Sequence, residues 1–467
     1  MPGPRLGLCR ATTPAPAQSA PRTVRRAPPP AHDAYAARDT GESGGSQGKE
    51  NATVSTPRSA VVVGAGIVGL ATAWALQSRG VEVTVAERRR PAAGASWGNA
   101  GWLTPALAMP LPEPAALRYG VRSLVTPTSP VYIPPRADPR LARFLLSFTR
   151  HCTPRRWRVL ATTFAALNRQ ALAAYDDLAA GGVQEPTVPV DPMLLAFGTA
   201  AERAGMVEEL EHARAAGYEI PYETIDGDRA RFLEPVLSDA VGAGIALHGQ
   251  RRLNPGNFVR ALADAVRERG GKVVEQADVS GIRDLGTGVA VGTSQGDLRA
   301  DVAVVSTGTW LNRLVRPFGV RVPVQSGRGY SFSVPAAGAP ARPTYLAGQK
   351  VVCTPLGDGR VRVAGMMELA PPERPVDPRR IQAIIAAARP LLRDVDWDAR
   401  TDEWVGSRPC TADGLPLVGP TASPRVYVNG GHGMWGVALG PLTGRLLADA
   451  IATGTAPAEL AALHPLR

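Results

Sequence analysis

At 467 residues the chain exceeds what one hydrophobic core usually serves, and its 44% hydrophobic content is that of an ordinary globular protein. No apolar run reaches the roughly 18 residues of a membrane span, and Cys9, Cys152, Cys353 and Cys410 form no C-x-x-C pair, which excludes a disulfide framework or a zinc site and fits a cytoplasmic chain. The formal charge of +11 is almost wholly arginine, since Lys49, Lys272 and Lys350 are the only lysines, and no nucleic-acid-binding module accompanies it.

Residues 1–57 are rich in Ala, Pro, Arg, Gly and Ser and are expected to be a disordered tail. Arg25-Arg26 has the look of a twin-arginine export signal, but Ala-Pro-Pro-Pro follows where an apolar stretch is required, so export is rejected. No methionine occurs between Met1 and Met109, so a shorter product would need a non-Met start, for example at Val54.

From Ala60 to Val63 an apolar, β-branched run reads as a buried parallel strand. Gly64-Ala65-Gly66-Ile67-Val68-Gly69 follows in the G-x-G-x-x-G pattern. Gly64 allows the tight turn, Gly66 lets a pyrophosphate approach bare backbone, and Gly69 seats the next helix on the strand. That helix, expected over 68–79, turns its free N-terminal N–H groups, those of Ile67 and Val68 among them, toward the pyrophosphate. A second strand over 81–86 ends at Glu87, where a carboxylate takes ribose hydroxyls. Arg88 to Arg90 follow it directly. Strand, turn, helix, strand and acid in this order point to a bound dinucleotide.

The loop Gly94 to Trp102 (GASWGNAGW) is small and polar, so its backbone can approach a flat ligand. Between Arg118 and Arg158 nine arginines face one acid, Asp138, interleaved with Tyr119, Tyr132, Phe144, Phe148 and Trp157. Two readings stand: a substrate-domain helix with a solvated basic face, or a surface that rests on anionic lipid. Helical patterns are expected over 141–151, 162–180 and 200–216, then an amphipathic helix over 257–270. Short strands at 272–275 and 279–282 precede the apolar strand 301–306, which ends in Thr307-Gly308-Thr309-Trp310 and returns the chain to the nucleotide domain. Strands over 330–334, 350–355 and 360–365 and a helix over 380–392 suggest a largely antiparallel sheet. A strand over 425–429, the turn Gly430 to Gly436 (GGHGMWG) and a helix over 440–453 close the chain.

Taken together, the fingerprint, the loop Ser96…Asn99-Ala100-Gly101, Ser306-Thr307-Gly308, Arg408-Pro409…Asp413-Gly414…Gly419 and Gly430-Gly431-His432-Gly433 resemble the D-amino-acid oxidase-type flavoproteins. Within that superfamily the chain is most similar to the D-amino-acid dehydrogenases of the small-subunit type. The resemblance implies an α/β protein with a Rossmann-like FAD-binding domain built from discontinuous segments (58–105, 256–310, 401–467). It also implies a second, α+β substrate domain (106–255, 311–400) with a mixed, largely antiparallel sheet. Non-covalent FAD is the implied cofactor. Gly64, Gly66, Gly69 and Glu87 would hold its ADP part, Arg88 beside them. Ser96, Asn99, Ala100 and Gly101 would pass along the ribityl chain and flavin, Val279 would offer backbone to the adenine, and Gly308 belongs to the same site. Gly431, His432, Gly433 and Met434 would lie by the pyrimidine edge.

The implied reaction is oxidation of a small D-amino acid to an imino acid, hydrolysed to a 2-oxo acid and ammonia, with electrons passed to a quinone or other acceptor. Arg408 is expected to anchor the substrate carboxylate through its forked guanidinium, the alternative being an ion pair with Asp413. Tyr330, Met367 and Trp435 are the further expected substrate contacts, each with an alternative role in packing. No side-chain acid or base is assigned. Glycine oxidases of the superfamily carry a second arginine where this chain has Met434. Sarcosine oxidases place a lysine over the flavin and attach it to a cysteine, features that residues 360–365 and Cys410 do not reproduce. Two rival readings remain: an oxygen-using oxidase of glycine, sarcosine or other N-alkyl or cyclic amino acids, and a non-catalytic flavin-binding subunit of a larger complex.

Overall fold

A computed structural model describes residues 57–114, 126–338 and 340–467. The expected tail, Pro57 apart, lies outside the described residues, as do Arg118, Tyr119 and Arg122 of the basic segment.

The run Ser59–Val63 is buried because it lies inside a six-stranded sheet. The strand order is Lys272–Val274, Glu82–Ala86, Ser59–Val63, Val302–Val305, Val426–Gly430 and Leu417–Pro420, parallel except for the last pair. Three distant chain segments therefore build one sheet. Parallel strands need both faces covered. Helices Ile67–Gln77, Pro255–Glu268 and Gly436–Thr453 cover one face. A three-stranded antiparallel sheet, Val279–Asp284, Val289–Thr293 and Gly296–Ala300, covers the other.

The last helix is fixed to the first by small residues: a Cβ on Gly444 would stand 2.9 Å from the Thr72 nitrogen. It also contains Pro441, which has no N–H to give the Val437 carbonyl one turn back. The Tyr175 hydroxyl, from the long helix Pro154–Ala180, donates to that carbonyl instead. A helix with an internal proline is thus completed by its neighbour.

The second sheet has nine strands. Eight run in the order Thr401–Thr411, Val324–Pro335, Arg360–Leu369, Val351–Pro355, Thr344–Leu346, Met193–Phe197, Ala243–Leu247 and Tyr222–Asp226, and Val131–Tyr132 pairs with Arg360–Leu369. The pairings are antiparallel except at Thr344–Leu346 with Met193–Phe197 and at the short Val131–Tyr132. Helix Pro378–Ala388 packs on its back face through Ile381, Ile384 and Ile385.

Two expectations change. Thr401–Thr411 is a strand of this sheet, so the return to the nucleotide sheet comes only with Leu417–Pro420. Residues 106–255 contain four strands of this sheet as well as helices. Met193–Phe197 (MLLAF) and Ala243–Leu247 (AGIAL) are buried throughout, and a short apolar run with both faces covered shows no alternation to separate it from a helix.

Candidate functional site

At the nucleotide end, Gly64 has φ +109, and a Cβ there would sit 2.6 Å from the Ser306 carbonyl oxygen. Only a bare backbone fits between the first strand and the loop after Val302–Val305. A Cβ on Gly69 would collide with the Gly64 carbonyl, so the helix lies directly on the turn. The helix starts at Ile67 with Gly66 as N-cap; contrary to expectation the Ile67 N–H is taken within the protein, which leaves the next N–H groups, those of Val68 and Gly69, to a ligand. Ser96, buried, accepts from the Ile67 N–H at 3.2 Å and so ties the 94–101 loop to this end of the helix.

Glu87 accepts from Ala65 N–H at 2.9 Å on one oxygen and from Arg89 N–H at 3.0 Å on the other. Each oxygen keeps a lone pair free for a further donor. Residues 274–277 run alongside, with Glu87 N–H to the Val274 carbonyl and Ala277 N–H, two residues before Val279, to the Glu87 carbonyl. The Arg88 guanidinium lies over the Trp310 ring at 3.6 Å, and burial, then Arg89, lowers its pKa. Asn99 Oδ1 accepts from Gly101 N–H at 2.7 Å, a local turn that shapes the loop around Ala100.

The C-terminal turn is pinned to Thr401–Thr411: Gly433 N–H donates to the Pro409 carbonyl at 2.9 Å, and His432 bridges to Cys410. Gly431 has φ +72 and opens this turn. Thr443 gives its hydroxyl proton to the Gly440 carbonyl, so it accepts from His432 Nε2–H at 2.9 Å. Nδ1 of His432 is left buried and unpartnered, and burial lowers the ring pKa to about 3. His432 is therefore held as a neutral ring whose Nδ1 is free to accept a hydrogen bond.

The Arg408 guanidinium lies on the second sheet, where Gly329 leaves room; a Cβ on Gly329 would collide with it. Nη1 donates to the Met366 carbonyl at 2.9 Å. Met366 has φ +66, a left-handed conformation rare for a residue with a side chain, and it lies at a register shift. Here Arg328 faces Glu368 and Tyr330 faces Gly365, two steps against three. The bulge aims that carbonyl at the arginine. Among the described residues no carboxylate forms an ion pair with Arg408; Asp413, the alternative partner, is held by Arg467 at 2.7 Å. Burial lowers the Arg408 pKa, with Cys410 acting the other way. Met367, Met434 and Cys410 share an apolar cluster beside it with Phe144 and Leu369.

The expected substrate contacts separate. Met367 lies with Arg408, since a Cβ on Gly327 would meet both Cys410 Sγ and Met367 Sδ. Tyr330 does not. Side chains alternate along a strand, so Gly327 and Gly329 share the Arg408 face while Arg328 and Tyr330 point to the back. There Tyr330 donates to Glu368 Oε2 at 2.7 Å and packs in the core under helix Pro378–Ala388. Trp435 caps the last helix, and its Nε1–H donates to the Met109 carbonyl at 2.7 Å. Sequence reasoning gave a site role to Gly308 and none to its neighbours, although Ser306 Oγ, Thr307 Oγ1 and Thr309 Oγ1 are buried without partners among the described residues, the first two residues against Gly64. Three hydroxyls close together after an apolar strand were the available signal.

The family model for the FAD-dependent oxidoreductases of the DAO type matches residues 59–450. The chain belongs to the DAO family of FAD-dependent oxidoreductases. A relative named D-amino acid dehydrogenase, from Cereibacter sphaeroides, is 32% identical over 409 residues, covering 85% of this chain and 92% of the relative. Another of that name, from Rhizorhabdus wittichii, is 30% identical over 410 residues, covering 84% and 95%. The glycine oxidase structure from Geobacillus kaustophilus superimposes with a TM-score of 0.68 at 23% identity, covering 88% of this chain and 98% of that one, and supports the fold.

As a DAO-family enzyme the chain uses FAD, and the residues fit it. The partnerless hydroxyls of Ser306, Thr307 and Thr309 and Nδ1 of His432 border the glycine turns. A Cβ on Gly308 or Gly433 would meet nothing within 4 Å, so both turns open onto free space.

Proposed function

We propose that this DAO-family enzyme oxidises small D-amino acids at the α-carbon and passes the electrons to a quinone or another acceptor in preference to oxygen. The observation that carries the reading is Arg408: a desolvated guanidinium whose one hydrogen-bond partner among the described residues is a backbone carbonyl, beside an apolar wall. Such a group is complementary to a substrate carboxylate, and its planar fork can take both oxygens. The D-amino acid dehydrogenases at 32% and 30% identity support the same substrate class.

Bound FAD supplies the acceptor for the hydride that leaves the α-carbon. Arg408 fixes the carboxylate and hence the direction in which the α-hydrogen points. Its positive charge and the surrounding Met367, Met434 and Cys410 disfavour an ammonium, so the substrate amine is held neutral and no side-chain base is required. The helix Gly436–Thr453 begins directly after the turn Gly431 to Met434 with no side-chain cap, and the positive end of its dipole would stabilise negative charge developing there. Neutral His432 holds this turn through Thr443. Water then adds to the released imino acid, giving the 2-oxo acid and ammonia.

Gly64, Gly66, Gly69 and Val68 are assigned to the pyrophosphate, Ile67 to the tie with Ser96, Glu87 to the ribose and Val279 to the adenine. Ser96, Asn99, Ala100 and Gly101 are assigned to the ribityl chain. FAD is held without a covalent bond in this reading: the buried Cys410 thiol is pushed up to about 11 and is a poor nucleophile. The strand Arg360–Leu369 presents Arg360 and Arg362 and no lysine, which favours an acceptor other than oxygen. The exposed arginines 140, 143, 150, 155, 156 and 158 are assigned to peripheral contact with anionic lipid. No described helix is long and apolar enough to cross a membrane.

The test is a visible spectrum of the FAD-loaded protein, followed anaerobically as D-alanine, D-proline, glycine and sarcosine are added in turn. Bleaching by a D-amino acid with slow recolouring in air is expected. Fast recolouring with peroxide would indicate the oxidase, and a protein bleached by none of the four would remove the amino-acid reading.

A further inference from the structure

Behind the sheet, opposite Arg408, lies a buried ionic cluster that hydride transfer itself does not use. Glu368 is 1% exposed and Arg328 fully buried. Glu368 Oε2 accepts from Arg328 Nη1 at 3.1 Å and from Tyr330 Oη at 2.7 Å, and Oε1 accepts from Arg374 Nη1 at 3.0 Å. Arg328 and Tyr330 are the two residues between which the register shifts, and the extra residue on the opposite strand is at Met366–Met367. One carboxylate therefore bridges both ends of the bulge.

A second clamp holds the same place from the edge of the sheet. Arg380, 2% exposed, donates to the carbonyls of Pro127 and Ser129, the latter at 3.0 Å, and the Pro130 carbonyl accepts from Met367 N–H at 2.6 Å. A left-handed residue with a side chain is strained and persists only where its surroundings over-determine it. Met366 is such a residue, and its carbonyl is the hydrogen-bond acceptor found for the Arg408 guanidinium.

We propose that Glu368 is a positioning residue: by joining Arg328, Tyr330 and Arg374 behind the sheet, it holds the Met366 bulge whose carbonyl fixes Arg408 for the substrate carboxylate. The inference rests on the reading of Arg408 as the carboxylate anchor. It gives Tyr330 a place in the same device, as a donor to Glu368, and it confines the effect to ligands that carry a carboxylate.

Glu368→Gln preserves shape, but its NH2 faces a donor at one of the two oxygen positions, because Arg328, Tyr330 and Arg374 all donate. The experiment uses the full-length, FAD-loaded chain. Benzoate, a carboxylate that cannot be oxidised, is titrated through its perturbation of the flavin absorbance, and D-alanine is compared with D-alaninamide in turnover. In Glu368→Gln the benzoate Kd and the D-alanine KM are expected to rise roughly tenfold, as for a lost hydrogen bond to a charged group. The resting flavin spectrum and D-alaninamide turnover stay unchanged. In an Arg408→Ala background the Glu368→Gln change adds nothing further.

An unchanged benzoate Kd in Glu368→Gln, with a raised one in Arg408→Ala, overturns the positioning role and leaves the anchor standing. An unchanged Kd in Arg408→Ala removes the anchor and the inference with it. Should Glu368→Gln fail to fold, Tyr330→Phe takes its place: it removes one donor alone, and a benzoate Kd equal to wild type would overturn the proposal.

Discussion

Arg467 closes on Asp413 through two hydrogen bonds, 2.7 Å from Nε to Oδ2 and 3.0 Å from Nη2 to Oδ1, and so takes from Arg408 a carboxylate five residues away. Glu403, five residues the other way, goes to Arg400 at 2.7 Å. The chain thus keeps its own acids off the arginine. Arg408→Ala is expected to raise KM for a D-amino acid about 100-fold, equivalent to roughly 3 kcal/mol for a charge-assisted contact. FAD content should match wild type. Arg408→Lys should recover little, since an ammonium cannot reproduce the fork. Steady-state kinetics with flavin content measured alongside check both.

Gly329→Ala probes the same contact from the other side. The added Cβ meets the far end of a flexible side chain rather than backbone, so the fold should absorb it. The guanidinium has to move, however. Substrate affinity should fall while the melting temperature changes by no more than about 2–4 °C, the scale of 1 kcal/mol in a large domain. A large loss of melting temperature with KM intact would contradict this placement.

Tyr175→Phe removes the hydroxyl that serves the Val437 carbonyl beside Pro441. A buried acceptor left without a donor costs roughly 1–3 kcal/mol. Denaturant unfolding should show a loss of that order. KM should be unaffected.

His432 sets a pH dependence. Its ring titrates near 6.5 when exposed and at about 3 in the fold, because burial penalises the charged form. As pH falls below about 6.5 the unfolded chain takes up a proton that the folded chain refuses. The stability linked to the neutral ring is therefore complete above 6.5 and declines toward 3, with a slope of up to about 1.4 kcal/mol per pH unit. Glu234, raised to about 6 by burial, works in the opposite sense between 4.5 and 6. Comparing His432→Gln with wild type cancels Glu234, and the variant should show the flatter stability profile on the acid side.

The basic face gives a membrane test. Leu146 and Val159, 57% and 66% exposed, sit among the exposed arginines. The protein should sediment with anionic vesicles at low salt, stay in the supernatant with neutral ones, and be released as salt rises. Charge reversal at Arg155 and Arg156 should abolish co-sedimentation without changing turnover in solution.

The fold from Ser59 to Ala86 was legible because its geometry is local. Gly64 to Glu87 is one continuous stretch whose spacing reflects a turn, a helix and a strand in contact. The substrate end was legible only in part. Arg408 could be picked out by type and context, but the face on which Tyr330 lies depends on a register fixed by strands far away in sequence. One extra residue at Met366 decides how Arg328 and Tyr330 pair with their neighbours, and nothing in the string RVRVAGMME announces it. Thr401–Thr411 was misplaced for a related reason: its partner, Val324–Pro335, lies some seventy residues upstream.

The strand Ser59–Val63 has neighbours drawn from residues 82–86 and 302–305, and the next strand out is 426–430, with the last helix laid on the first. On the ribosome the glycine turn is made early, while the pieces that enclose it emerge only as synthesis nears its end. Closing so long a loop is slow. Capture of the flavin is therefore an event of the released or nearly released chain, and a nascent chain stopped before residue 426 should emerge colourless however much FAD surrounds it.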